Sequence, residues 1–366
     1  MSRNLLAERW ERRRRARELE EQETAVARHA RLPLVLVVEE VHLDLDCPAD
    51  TAWRFVTDPA NGRLLGGDPN GFEFVVPGSP RGEVGERLCA FTTRADGALI
   101  GQVEEVVRLE PGRLRVARSL STEHAFSGTL AVVPLSDRTC RLSLELTAQV
   151  HPAESEAVRE QMITGTGRVV RRASHHLAGT TPPLEPPPAP RPACRDASAL
   201  VAVAARATVE VAVGPEVVWG FLLDAGNDRL DSEDPEAFGC TVPGTPSGQV
   251  GELRCVISHR ANGTLVATLQ EVVALDPQRS MVTRGRSTTH PAGTTLRLEA
   301  SPTGTRLTVQ VDLEEHVSSA EAARLRFVGG AEAHLARVKR CLEDQGDYRD
   351  QGEDQDQDAG PQGSRP

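Results

Sequence analysis

The chain has 366 residues, of which 39% are hydrophobic and only 3% aromatic, and its formal net charge is −11. That length fits two or three domains. The negative balance disfavours nonspecific attraction to nucleic acid or to anionic lipid, and the scarcity of rings leaves few for stacking on bases or sugars. The 7 cysteines are odd in number and show no CxxC spacing, so neither a disulfide framework nor a metal site is expected. Buried reduced thiols in a cytoplasmic protein are the plainer expectation. The first 31 residues hold no secretory core, and apolar runs such as Leu34 to Val38 are too short for a membrane span. Lys339 is the only lysine, and abundant Ala, Gly, Val, Pro and Arg suit a high-GC bacterial genome.

Residues 1–31 form a highly charged arm with the run Arg12-Arg-Arg-Arg15, which nearby glutamates offset. A solvated helix that serves as an arm for a protein partner is the expected reading. From Val41 the apolar residues Val41, Leu43, Leu45 and Cys47 alternate with polar ones, the signature of a half-buried strand. Pro48 sits where a helix starts, and Trp53, Phe55 and Val56 form its apolar side. Turn residues follow at Asp58-Pro-Ala-Asn-Gly62. Six alternating segments come next: 72–76, 86–93, 98–107, 114–121, 128–133 and 141–150. The dipeptides Pro77-Gly78, Asp96-Gly97 and Pro111-Gly112 separate several of them and predict antiparallel hairpins. A helix over 153–177 closes the series. Residues 179–199 are dense in proline and predict an extended spacer.

Beyond the spacer the series repeats. Val76-Pro-Gly-Ser-Pro80 recurs as Val242-Pro-Gly-Thr-Pro246, an offset of 166 residues, and the same offset pairs Trp53 with Trp219, Cys89 with Cys255 and Arg118 with Arg284. A deletion then shifts the offset to 165, pairing His151 with His316. A duplicated domain follows. The expected division is domain 1 over 32–178, the spacer, domain 2 over 200–343 with a last helix over 318–342, and a disordered acidic tail over 344–366. The fold class is α+β, each copy a curved antiparallel sheet wrapped around one long C-terminal helix.

The run Pro215-Glu-Val-Val-Trp-Gly-Phe-Leu-Leu-Asp224 with Asn227, the Val-Pro-Gly turn, Gly85-Glu86 and Gly251-Glu252 resemble the START/Bet v1-like (SRPBCC, polyketide cyclase/lipid-transport) superfamily. The resemblance spans roughly 34–178 and 200–343. It implies tandem helix-grip domains, each around a cavity for a hydrophobic ligand. It implies no universal catalytic residues, and no cofactor is expected. Where many relatives place an aromatic residue after the first helix, this chain has Leu64, Leu65, Leu230 and Asp231.

Candidate ligand-binding residues are those both copies keep. His124 and His290 follow identical Ser-Thr or near-identical runs and suit proton transfer, against the plainer reading of an exposed turn histidine. Arg118 and Arg284 suit a carboxylate or enolate oxygen, against cross-strand ion pairs with Glu105 and Glu271. Glu105 and Glu271 share strand parity with apolar neighbours and so face inward or sit at a rim. Gly165 and Gly330 lie inside the closing helices, where glycine costs about 1 kcal/mol relative to alanine; they make room for a ligand or for close packing. Cys89 and Cys255 read as core. The leading expectation is binding of a hydrophobic small molecule, lipid or polyketide-like. The alternatives are a polyketide aromatase/cyclase working by acid/base-assisted aldol cyclisation and dehydration, and a scaffold that binds nothing.

Overall fold

The computed structural model describes residues 33–94, 97–182, 200–232, 234–287 and 292–353, with the backbone alone for 345–353. The amino-terminal arm with its arginine run, most of the proline-rich spacer, His290 and the last residues of the acidic tail lie outside the described residues. By their contacts the residues divide into two compact units, one of Met1–Asp58, Leu64–Gly66 and Glu105–Pro182, the other of Pro59–Arg63, Gly67–Glu104 and Pro183–Pro366.

The first copy runs β1 (Val35–Leu45), α1 (Ala49–Thr57), α2 (Gly62–Gly66), β2 (Phe72–Val75), β3 (Arg87–Thr93), β4 (Leu99–Glu110), β5 (Leu114–Ser119), β6 (Phe126–Pro134), β7 (Cys140–Val150) and α3 (Ser155–Leu177). The second runs β8 (Leu200–Val211), α4 (Pro215–Leu223), β9 (Phe238–Thr241), β10 (Leu253–His259), β11 (Leu265–Asp276), β12 (Ser280–Gly285), β13 (Ala292–Ser301), β14 (Gly304–His316) and α5 (Ala320–Glu353). Each copy is an antiparallel sheet with one long helix packed across it, the α+β helix-grip arrangement.

In the first unit β1 pairs with β7 from Val35↔Val150 to Leu45↔Cys140, and β7, β6 and β5 follow in antiparallel order. β1 begins well before Val41, because the continuous apolar stretch 35–38 extends its ladder with β7. Leu45, Val132, Leu142, Val170 and Ala173 form the core between this sheet and α3. Arg159 on α3 donates from Nε to Glu39 Oε1 on β1 at 2.8 Å and pins the helix to the strand. A second cluster joins Val37, Ala148 and Met162 to Phe126 and Leu146.

In the second unit β8 pairs with β14 from Leu200↔His316 to Val211↔Thr305, followed by β13, β12, β11, β10 and β9. Val211, Val218, Leu298 and Leu307 form its core together with Leu335 and Leu342 of α5. That helix continues through Glu353, past the expected end at Leu342, so residues 344–353 are helical where disorder was expected. The segment contains no proline, and adding residues to an existing helix avoids the cost of nucleation.

The repeated motifs have the same local chemistry in both copies. Ser79 Oγ donates to the Val76 carbonyl at 2.7 Å, and Thr245 Oγ1 to the Val242 carbonyl at 2.8 Å. The glycines of those turns, Gly78 and Gly244, have φ of 85° and 86°, a region that side-chain-bearing residues avoid. Asp68 and Asp234 stand 166 residues apart and close the same strand ends, accepting from the amides of Thr93 at 2.5 Å and His259 at 2.6 Å. Burial works against the Asp68 carboxylate, but the amides of Thr93, Asn70 and Gly71 hold its pKa below the usual range. The sequence reading does not single out this pair.

Among the described residues Cys47, Cys89, Cys140, Cys240 and Cys255 are buried, and none forms a disulfide. Burial beside Cys47 pushes the Cys140 thiol up to about 11. Cys240 and Cys255 are direct cross-strand neighbours, and their thiols are also pushed up, Cys240 by its contact with Cys255 and by burial.

Candidate ligand cavity

The second copy encloses a cavity of about 650 Å³ between its sheet and α5. Strand pairing sets its walls in rows. Met281, Leu296 and Val309 are mutual cross-strand partners and form an apolar row. The next row is Thr283, Thr294 and Val311, which brings two hydroxyls onto the wall. Beyond them Gly285, Ser287 and Ala292 are small and leave space. The sheet therefore offers an apolar surface that turns polar and then opens.

Helix α5 supplies the facing wall with Arg326, Phe327, Gly330, His334, Arg337 and Val338. Arg326, Gly330, His334 and Arg337 stand at i, i+4, i+8 and i+11, so they share one helix face. A Cβ built on Gly329 or Gly330 meets nothing within 4 Å, so both glycines border open space. The Arg326 guanidinium lies over the Phe327 ring at 5.2 Å, and Arg337 Nε donates to the Leu230 carbonyl at 2.8 Å.

Phe221, Leu222, Asn227, Asp228 and Arg254 close one part of the cavity. Arg254 is only 1% exposed and its donors are engaged. Nε and NH2 each reach Glu252 Oε2 at 3.0 Å, NH1 reaches the Leu222 carbonyl at 2.9 Å and Asp228 Oδ1 at 3.3 Å, and NH2 reaches the Leu223 carbonyl at 3.1 Å. Those two carbonyls end α4, where a helix has no backbone donors left to satisfy them. Glu252 is fully buried and also accepts from Thr241 Oγ1 at 2.6 Å and the Gly248 amide at 3.2 Å. The guanidinium thus caps a helix and neutralises a carboxylate together.

The sequence-selected residues fall in different places. Gly330 lines the cavity. Arg284 and Glu271 are not among its lining residues. They form an ion pair at 2.9 Å with the arginine half exposed, because Arg284 has the opposite strand parity to Thr283 and Gly285. Glu271 also faces Arg286 at 3.5 Å. In the first copy Arg118 donates to Glu105 Oε2 from Nε at 2.9 Å and from NH2 at 2.6 Å. His124 is half-buried with its ring 5.3 Å from that of His151, edge to face. Gly165 borders open space like Gly330. The sequence reading misses Arg326, His334, Arg337 and Arg254. The first three could have been found by stepping along the helix from Gly330 by one and two turns.

Among the described residues no three His, Cys, Asp or Glu side chains are grouped to hold a metal, and no helix is long and apolar enough to cross a membrane. The family model described as polyketide cyclase / dehydrase and lipid transport matches residues 202–343. Those residues are a START/Bet v1-like domain. The first copy repeats the element order of the second and the pairing of its outer strands, so the chain carries the helix-grip fold twice.

Solved structures similar to this chain include the di-domain ARO/CYC BexL from the BE-7585A biosynthetic pathway, at 18% identity, 84% of this chain, 97% of that chain and a TM-score of 0.34. The di-domain ARO/CYC StfQ from the steffimycin biosynthetic pathway matches at 13% identity, 84% of this chain, 99% of that chain and 0.34. The Zhui aromatase/cyclase from Streptomyces sp. R1128 matches at 17% identity, 40% of this chain, 100% of that chain and 0.32. No curated protein matches the chain.

Proposed function

We infer that the second copy binds a hydrophobic small molecule, lipid or polyketide-like, in the cavity between its sheet and α5. The observation that carries this reading is the cavity itself: about 650 Å³, with an apolar row at one side, threonine hydroxyls beside it and glycines on the facing helix. Ligand sites for small molecules combine such a volume with mostly apolar walls and a few orienting polar groups. Glycine weakens a helix interior, and here Gly329 and Gly330 contact no neighbour that requires their small size. Their effect is to leave volume beside the helix.

Acid/base-assisted aldol cyclisation and dehydration of a polyketide is the second reading. His334 on the cavity wall favours it, since an imidazole there can exchange a proton with a bound ligand. This catalytic reading moves the candidate proton carrier from the turn histidines to the helix.

Native mass spectrometry of the full chain purified from cells tests the binding reading, with Gly330→Phe as the partner variant. A small molecule of defined mass on the native chain, absent from the variant, is the expected result. Bare chain in both, together with no uptake of the neutral fluorophore N-phenyl-1-naphthylamine, would overturn it.

A further inference from the structure

We propose that the ligand of this cavity is an elongated apolar molecule ending in an anionic oxygen group, and that the cationic face of α5 selects it. The proposal rests on the binding reading above and adds the ligand's charge and its anchor.

The lining side chains are unequal in sign. Arg254, Arg326 and Arg337 are cationic, whereas Asp228 is the only carboxylate among the described lining residues. Asp228 already faces Arg254 NH1 at 3.3 Å, and Arg254 is further spent on Glu252 and two helix carbonyls. One guanidinium there faces two carboxylates, so that part of the wall carries no surplus positive charge. Arg326 and Arg337 remain. Neither forms an ion pair among the described residues, and the contacts they make are to the Phe327 ring and the Leu230 carbonyl. A ring face and a single carbonyl leave the charge of a guanidinium uncompensated.

The two arginines lie on the helix face that borders the cavity, with Gly330 and His334 between them. Eleven residues of helix separate them by about 16 Å along the axis. A ligand laid over Gly330 meets a cation at either end, and the planar fork of a guanidinium matches two oxygens of one anionic group. The apolar rows of the sheet face the remainder of the ligand. This charge pattern belongs to the second copy. At the equivalent positions of α3 the first copy has Gln161 for Arg326 and Val169 for His334, while Arg172 matches Arg337.

Two fluorophores test the proposal: N-phenyl-1-naphthylamine, and 8-anilino-1-naphthalenesulfonate, which adds a sulfonate to the same ring system. They are titrated into the native chain, Arg326→Gln, Arg337→Gln and Gly330→Phe. The proposal expects one or both arginine variants to lose about tenfold in affinity for the sulfonate. The same variant keeps its affinity for the neutral amine within about twofold. Gly330→Phe weakens both probes. If the neutral amine binds in a Gly330→Phe-sensitive way but both arginine variants treat the two probes alike, anion selection is overturned and the binding reading stands. If neither probe binds the native chain, both fall. Because Arg337 is half-buried, exposed Arg326 keeps the test readable should Arg337→Gln misfold.

Discussion

Arg254 shows how one buried side chain can decide a local structure. It ends α4 through two carbonyls and offsets the buried charge of Glu252. Removing one partner of a buried ion pair leaves the other charge without compensation, which costs about 3–5 kcal/mol. Arg254→Leu installs the residue that the first copy has at this position, Leu88. It should lower stability by about that amount in denaturant titration. Adding Glu252→Gln should restore part of the loss, because the stranded charge is then gone. An equal loss in the single and double variants would mean that helix capping, not charge balance, is the arginine's main contribution. The sequence marks Glu252 only as half of a repeated Gly-Glu pair. Its partner two residues on is invisible there, since arginine on a strand ordinarily reads as a solvent-facing residue.

At the scale of elements, the alternation of apolar and polar residues makes the sheets legible from the sequence. The turn dipeptides appear where hairpins occur, as the positive φ of Gly97 and Gly112 confirms. Boundaries are less legible. β4 extends to Glu110 and α5 to Glu353, because pairing with a neighbour or growth from an existing helix sustains residues with little preference of their own. Facing is less legible still. Glu271 shares parity with buried Leu269, yet lies half-buried in an ion pair with Arg284. Within α5, Gly330 borders open space, so alanine fits without a clash. Gly330→Ala should therefore raise helix stability by up to about 1 kcal/mol and raise the melting temperature. The same methyl group should weaken uptake of the neutral fluorophore. A variant that melts earlier would show that the glycine serves the packing of the helix.

For the whole molecule, duplication is the feature most visible in the sequence, and divergence between the copies is the feature that matters for function. Strand register aligns Phe126 with Ala292 and Leu146 with Val311, and helix register aligns Val169 with His334. Phe126 and Leu146 pack with Val37, Ala148 and Met162, so larger apolar groups stand in the first copy where smaller ones line the cavity of the second. The expected stoichiometry is one hydrophobic ligand per chain. Titration should reach one equivalent, and Gly165→Phe should leave uptake intact while Gly330→Phe removes it. Two equivalents, or equal sensitivity to the two variants, would place ligand in both copies. Such asymmetry cannot be read from identities kept in common, because it resides in the positions where the copies differ. The buried thiols add a property of another kind. Cys47 and Cys140 belong to one compact unit, and Cys240 and Cys255 to the other. A thiol held protonated and out of water reacts with an alkylating reagent only when its surroundings open. Each unit thus carries an internal clock, and mass-resolved labelling of the unmodified chain can time the breathing of the two units separately.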